Sequence, residues 1–419
     1  MNADKKGSNN APQQPTQCDT TKLANNAEIS KGFINFEGAD AEQIEGLENL
    51  SLPDGLNDLE LNKGGKVLST LPNMQIILRH LFGDECEIYH DVFALKIMVK
   101  GKLPWSEETG LREWVEADTD LFWAHIQKEP FNMVAVNKGT VWAALFDFAN
   151  IKRRHPVKEY LESLPEWDGK PRLERLFIDY LGAEDTGLNR EAAKMALVAA
   201  VKRTYEPGCE LDYVVTLQGV QGCGKSKIWK RLVKDPAWCK DSTLEMNNKD
   251  GYSQMNGAVF YELSDLAGVD KVSDAKLKNF ISSTTDTYRV AYEKAATDHK
   301  RKGILIGTTN EEAHLKSAGG NRRWNIVPVM KQPRKFATTE AMLEAVEQIR
   351  DLLWAEALHL YRNGYKLILS EDLEREAEAL QTECNEAQED PMKTLIEWYL
   401  TIPTPADYKT FGVQERRKY

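Results

Sequence analysis

The chain has 419 residues, 42% hydrophobic and 28% charged, with a formal net charge of −11. That is apolar material for two or more domains with proper cores, and a balance that excludes a general nucleic-acid glue, so any grip on phosphate backbones must come from a local basic patch. Six cysteines stand far apart with no C-x-x-C pair, which excludes a disulfide framework or structural zinc and suits a reducing cytoplasm.

No apolar run approaches the roughly 20 residues of a membrane helix, and the opening MNADKKGSNNAPQQPTQ lacks the apolar core of a secretion signal. A soluble cytoplasmic protein with no membrane partner is expected. Residues 1–70, rich in Asn, Gln, Gly and Asp, read as a disordered leader. Residues 71–150 read as a small α-rich N-terminal domain, opening on NMQIILRHLF and containing Trp105, Trp114, Trp123 and Trp142.

Residues 151–210 read as a linker and a helical approach to the next unit. Leu173, Leu176, Phe177 and Tyr180 share the face of a first helix that Gly182 stops. A second helix is expected to start at Asn189 as N-cap and to close at Pro207-Gly208. Residues 211–335 are α/β, with strands expected at YVVTL (213–217), AVFYE (258–262), GILIGT (303–308) and WNIVPV (324–329). Residues 336–419 form a helical C-terminal region, including an amphipathic helix over 340–363 ended by Asn363-Gly364.

Between the first of these strands and a helical stretch stands GVQGCGKS, which satisfies G-x-x-x-x-G-K-[ST] in full. Gly219, Gly222, Cys223, Gly224, Lys225 and Ser226 are the expected phosphate cradle. Glycines let successive amides converge on one point, and the following helix adds its positive end. Lys225 is expected to reach the β- and γ-phosphates and Ser226 to offer its hydroxyl to Mg²⁺; the plain alternative is an ordinary glycine turn. Cys223 lies inside the loop, so thiol reagents are expected to inhibit and bound nucleotide to protect.

Further along, NGAVFYELSDL delivers Glu262 to a strand end, with Asp265 one turn on. Such carboxylates hold a Mg²⁺ water shell and orient an attacking water. GILIGTTN ends in Asn310, placed to sense the γ-phosphate or to position that water, although Asn also ends strands as simple turn chemistry. In SAGGNRRWNIVPV, Arg322 or Arg323 is expected to serve as an arginine finger for a neighbouring subunit's nucleotide, against the alternative of two surface arginines.

Arg289, Lys294, His299, Lys300, Arg301 and Lys302 crowd into DTYRVAYEKAATDHKRKGILI, a reversal of sign in an acidic chain. RVAYE and KRKGILI are expected to pair as a hairpin whose basic tip grips DNA phosphates. The run Lys152-Arg153-Arg154-His155 is a weaker basic candidate.

Taken together, HPVKEYLESLPEWDGKPRLERLFIDYLGAED, YEPGCELDYVVTLQGVQGCGKS, GTTN, GNRRW and DLLWAEALHLYRNG strongly resemble the virulence-associated protein E family over residues 75–400. Those proteins occur in phages and mobile genetic islands and look like superfamily three helicases of the AAA+ class. The resemblance implies a P-loop NTPase (AAA+-like) core and a homo-hexamer driven by Mg·ATP. It further implies action on single-stranded or forked DNA beside phage or island replication proteins. Position by position it carries over the phosphate loop, Glu262, Asn310 and Arg322 or Arg323; Asp265 stands where the family often has Glu, which weakens its metal role. No paired acidic strand of the D-x-D kind precedes the linker, so primer synthesis is not expected. Two other readings stay open: a P-loop kinase, indifferent to added DNA, and a nucleotide-gated interaction protein that assembles on ATP without unwinding.

Overall fold

The computed structural model describes residues 56–83, 86–128, 130–241, 249–264, 274–290, 295–310, 323–386, 391–401 and 412, all of them within the compact unit Leu52–Tyr419. Strands β1 (Cys86–Asp91), β2 (Lys96–Gly101), β3 (Leu111–Glu113) and β4 (Arg153–Arg154) make a sheet in the order β3-β2-β1-β4. Helices α1 (Leu71–Leu81), α2 (Glu116–His125) and α3 (Lys138–Ile151) share its core, where Met74, Ile77, Ile88, Val99, Phe122 and Leu145 are buried.

The expected α-rich domain therefore carries a sheet. Its strand signal is short: in β2, Ile97 and Val99 point inward while Lys96 and Lys100 face out, a period of two over five residues. Order also begins earlier than position 71. Leu56, Leu59 and Val67 are buried in this core. The buried Asn73 side chain ties the segment down, accepting the Glu60 N–H at 2.9 Å and donating to Glu60 O and Leu68 O at 2.8 and 2.9 Å. Residues 56–70 are thus part of the domain rather than of a leader.

The second layer follows α4 (Pro156–Glu162), a tight turn over Leu173–Arg175, a π-helical turn over Leu176–Tyr180 and α5 (Gly187–Tyr205). Thr186, not Asn189, caps α5: its Oγ1 accepts the Asn189 N–H at 3.2 Å, while the Asn189 amide donates to Glu184 O at 2.9 Å. Next come β5 (Val214–Gln218), α6 (Lys225–Leu232), β6 (Cys239–Asp241), β7 (Phe260–Leu263), α7 (Asp274–Ser282), the antiparallel pair β8 (Thr285–Tyr288) and β9 (Thr297–Lys300), β10 (Ile304–Thr309), β11 (Trp324–Pro328) and α8 (Thr339–Arg362). Helices α9 (Glu371–Glu386) and α10 (Pro391–Thr401) end the described elements. Among the described residues no helix is long and apolar enough to cross a membrane.

Five strands form a wholly parallel sheet in the order β11-β5-β10-β7-β6. A parallel sheet needs cover on both faces. On one, Leu197, Ile228, Trp229, Val346 and Trp354 of α5, α6 and α8 pack against Val215, Leu217, Phe260, Ile306 and Val327. On the other, Leu277, Phe280 and Ile281 of α7 meet Val214, Tyr261, Leu263 and Ile326.

One buried carboxylate fixes how the helical approach meets α8. Glu356 is 2% exposed and accepts the Arg172 and Leu173 N–H groups at 2.7 and 3.0 Å; burial pushes its pKa up, against the pull of those two amides. Glu356→Ala should cost roughly 3 kcal/mol, the scale for hydrogen bonds to a charged acceptor, while Glu356→Gln should retain most of the stability. Urea unfolding of both variants measures the difference.

Candidate functional site

The loop from Gly219 to Gly224 leaves the C-terminal end of β5 and enters α6. Gly224 takes φ 106° directly before the helix, a conformation that favours glycine, and a Cβ there would meet Met342 Cε at 2.8 Å. A Cβ on Gly219 would lie 2.7 Å from Val329 Cγ2. Backbone approach this close is what the glycines provide.

Lys225 opens α6 and is only 6% exposed. Its ammonium donates to Gly219 O at 2.7 Å, Val220 O at 2.9 Å and Asn310 Oδ1 at 2.8 Å. The structure thus brings together Lys225 and Asn310, which are 85 positions apart in sequence. It does so because β10 lies between β5 and β7, so Asn310 emerges beside the loop; the Gly219 N–H donates to Thr309 O at 3.2 Å. Ser226 follows in the first turn of α6, partly exposed. Cys223 is buried, its Sγ 3.9 Å from the Lys225 ammonium, so access for a thiol reagent is poor.

Glu262 sits on β7, paired with Ile306 of β10 and Asp241 of β6. It is fully buried. Oε1 accepts the Thr308 hydroxyl at 2.7 Å, whereas Oε2 has no hydrogen-bond partner among the described residues. A buried carboxylate oxygen without a donor is costly unless something binds there. Asp265, Lys294 and Arg322 lie outside the described residues. Arg323 stands just before β11, whose first residue pairs with Val214 at the start of β5, and its Nε donates to Ser282 Oγ at 3.1 Å. It is therefore at the opposite sheet edge from its own loop.

Two contacts on the loop had no signal in the sequence. Arg334 donates from Nη1 to Cys223 O at 3.2 Å, and the Thr339 hydroxyl donates to Gly222 O at 3.4 Å. Arg334 comes from the strap between β11 and α8, and Thr339 is the first residue of α8.

The basic run divides. The β8–β9 hairpin exists, with Thr285 pairing with Lys300 and Tyr288 with Thr297; after Lys300, KRKGILI leads into β10, and residues 291–293 of RVAYE lie outside the described residues. Arg301 is 5% exposed. Its guanidinium makes a two-pronged ion pair with Asp286 at 2.7 and 2.8 Å, donates to Phe280 O at 2.5 Å and lies over the Phe280 ring. Lys302 turns inward to Val92 O and Phe93 O, and burial lowers its pKa to about 8. Arg301 and Lys302 are thus structural, not phosphate contacts. Arg289 and Lys300 are exposed; His299 is partly exposed and stacks on Tyr288 at 4.3 Å between ring centroids.

These features define a mixed α/β protein whose parallel sheet presents a glycine turn, a lysine, an asparagine and a buried carboxylate at or next to its C-terminal edge. The chain belongs to the virulence-associated protein E-like domain family, whose model matches residues 161–389, more than half of its length. Among solved structures it is similar to the A form of the apo NrS-1 C-terminal region (305–718), with TM-score 0.45 and 13% identity over 83% of this chain and 84% of that one. Another A-form apo structure of the NrS-1 C-terminal region gives TM-score 0.46 and 14% identity over 78% and 79%. No curated protein matches the chain.

Removing Arg301 while Asp286 stays leaves an uncompensated buried carboxylate. Arg301→Ala should destabilise the protein by about 3–5 kcal/mol, and the double change Arg301→Leu with Asp286→Leu should recover much of the loss. Denaturant unfolding decides; an Arg301→Ala variant as stable as the wild type would mean that the pair is solvated.

Proposed function

We propose that the chain is a Mg·ATP-hydrolysing P-loop motor of the AAA+ type, working as a homo-hexameric helicase or translocase on single-stranded or forked DNA. Its setting is the replication of a phage or mobile element, beside that element's replication proteins. The observation that carries this reading is the convergence of Lys225 and Asn310 across the glycine turn. An ammonium gripped by three oxygen acceptors at a helix N-terminus is set to exchange some of them for phosphate oxygens.

The residues present fit the metal the reading requires. Mg²⁺ prefers oxygen ligands and is bound through one or two protein groups plus substrate phosphates. The Ser226 hydroxyl and the unpartnered Glu262 Oε2 offer such oxygens, and Asp265 is a further candidate. Bound Mg²⁺ neutralises charge on the β- and γ-phosphates. The chain's own groups do the rest: loop amides bind, Lys225 spans the phosphates, Glu262 orients the attacking water and Asn310 holds it in line. Arg323, remote from its own loop, or Arg322, the preceding residue in sequence, serves the neighbouring copy as a finger. Arg289, Lys294, His299 and Lys300 of the hairpin face the DNA strand.

Lys225→Ala should lower ATP turnover by roughly a hundredfold or more, on the scale of losing a donor to transition-state charge. Glu262→Gln should still bind ATP while turnover stops. Added single strands should stimulate the wild type, and native mass measurement with nucleotide should give the hexamer. Turnover indifferent to DNA in a chain that stays monomeric with Mg·ATP would reject the motor and favour a kinase.

A further inference from the structure

A cleft of about 380 Å³ lies between the N-terminal sheet and the β8–β9 hairpin, within the size range of ligand pockets. One wall carries His90, Trp142 and Phe146; Arg289 and His299 come from the other side, and Lys96 and Lys240 add charge. Phe146 is 40% exposed; its ring packs on that of His90, 5.7 Å between centroids, and the remainder of it is open to an occupant of the cleft. Among the described residues Glu113 is the only acid lining the cleft.

That sign reversal, in a chain of net charge −11, has further support. Burial is the main cause that lowers the pKa of Lys240, Lys302 and His90, and neighbouring cations add to it in each case: Lys96 for Lys240, Arg153 for Lys302, Arg153 and Lys302 for His90. Asp91 acts in the other direction on Lys302 and His90, and Glu113 on Lys240. Arg153, from the basic run before α4, is exposed and sits opposite His90 in the β1–β4 pairing. Lys96 pairs with Glu113 at 2.5 Å, both side chains over 40% exposed; such a pair is worth little, so Lys96 can turn to another anion at small cost.

We propose that this cleft binds single-stranded DNA, with an unstacked base against Phe146 and Trp142 and the adjoining phosphates facing Lys96 and Arg289. Aromatic faces beside cations take single strands without sequence preference. The volume suits one or two nucleotides, not a duplex. The wall from His90 to Phe146 lies outside the family-matched residues 161–389, so this contact belongs to the chain's own N-terminal layer. The inference rests on the reading of the chain as a DNA motor and extends the hairpin's contact, through Arg289 and His299, onto the aromatic wall of the N-terminal sheet.

The test is fluorescence anisotropy of labelled oligo(dT) with the full chain, for wild type, Phe146→Ala, Phe146→Tyr, Lys96→Gln and Lys225→Ala. Phe146→Ala should weaken binding about tenfold, within the range for loss of one base stack, and Phe146→Tyr should restore it. Lys96→Gln, an exposed change safe for folding, should weaken binding and flatten the salt slope by roughly 0.7. Lys225→Ala should lose ATP turnover, which reads the motor separately from the strand contact. Unchanged affinity and salt slope in Phe146→Ala and Lys96→Gln would overturn the cleft while leaving the motor intact. A wild type that hydrolyses ATP through Lys225 but binds no oligo(dT) would overturn both the cleft and the DNA half of the proposed function. Binding of free dTMP as tight as that of the oligonucleotide would replace the strand with a small-molecule occupant.

Discussion

The whole site depends on one insertion: β10 lies between β5 and β7. Without it the strand bearing the glycine turn and the strand bearing Glu262 would be neighbours, and Asn310 would have no route to Lys225. The insertion demands close strand contact, and Gly307 meets it: it pairs with Thr216, whose side chain occupies the space a Cβ would need. Thr308, one residue on, gives its hydroxyl to Glu262. A single six-residue strand thus supports the carboxylate through Thr308 and brings the amide of Asn310 to the lysine just beyond its end.

Much of this core was legible because its strands are runs of β-branched and apolar residues. Four strands fall within a residue or two of their expected bounds, and the helix at 340–363 ends at Asn363 with Gly364 in the left-handed region. β6 was not legible, since Cys239–Asp241 is three residues with no apolar run. The N-terminal sheet was hidden for a similar reason: β3 and β4 have three and two residues, and helical spacing around them dominates. Arg334 gave no signal because its partner is a backbone carbonyl 111 positions away, and a carbonyl has no sequence identity.

The basic run shows why charge alone misleads. Lys300, Arg301 and Lys302 are consecutive and chemically alike, yet successive residues leaving a strand point in different directions. Lys300 reaches solvent, Arg301 reaches Asp286, and Lys302 reaches backbone carbonyls of the N-terminal layer. The asymmetry follows from cost: a buried guanidinium is tolerated only where a carboxylate and further acceptors meet it, and Asp286, itself buried, sits across the hairpin at the required distance.

That placement gives β10 a second consequence. Lys302, two residues before the strand, holds Val92 and Phe93 beside the aromatic cleft, while Asn310, directly after it, holds Lys225. The two anchors are eight residues apart, roughly 26 Å along an extended chain. Between them the strand is hydrogen-bonded on both edges and packed on both faces, which leaves it little freedom to bend.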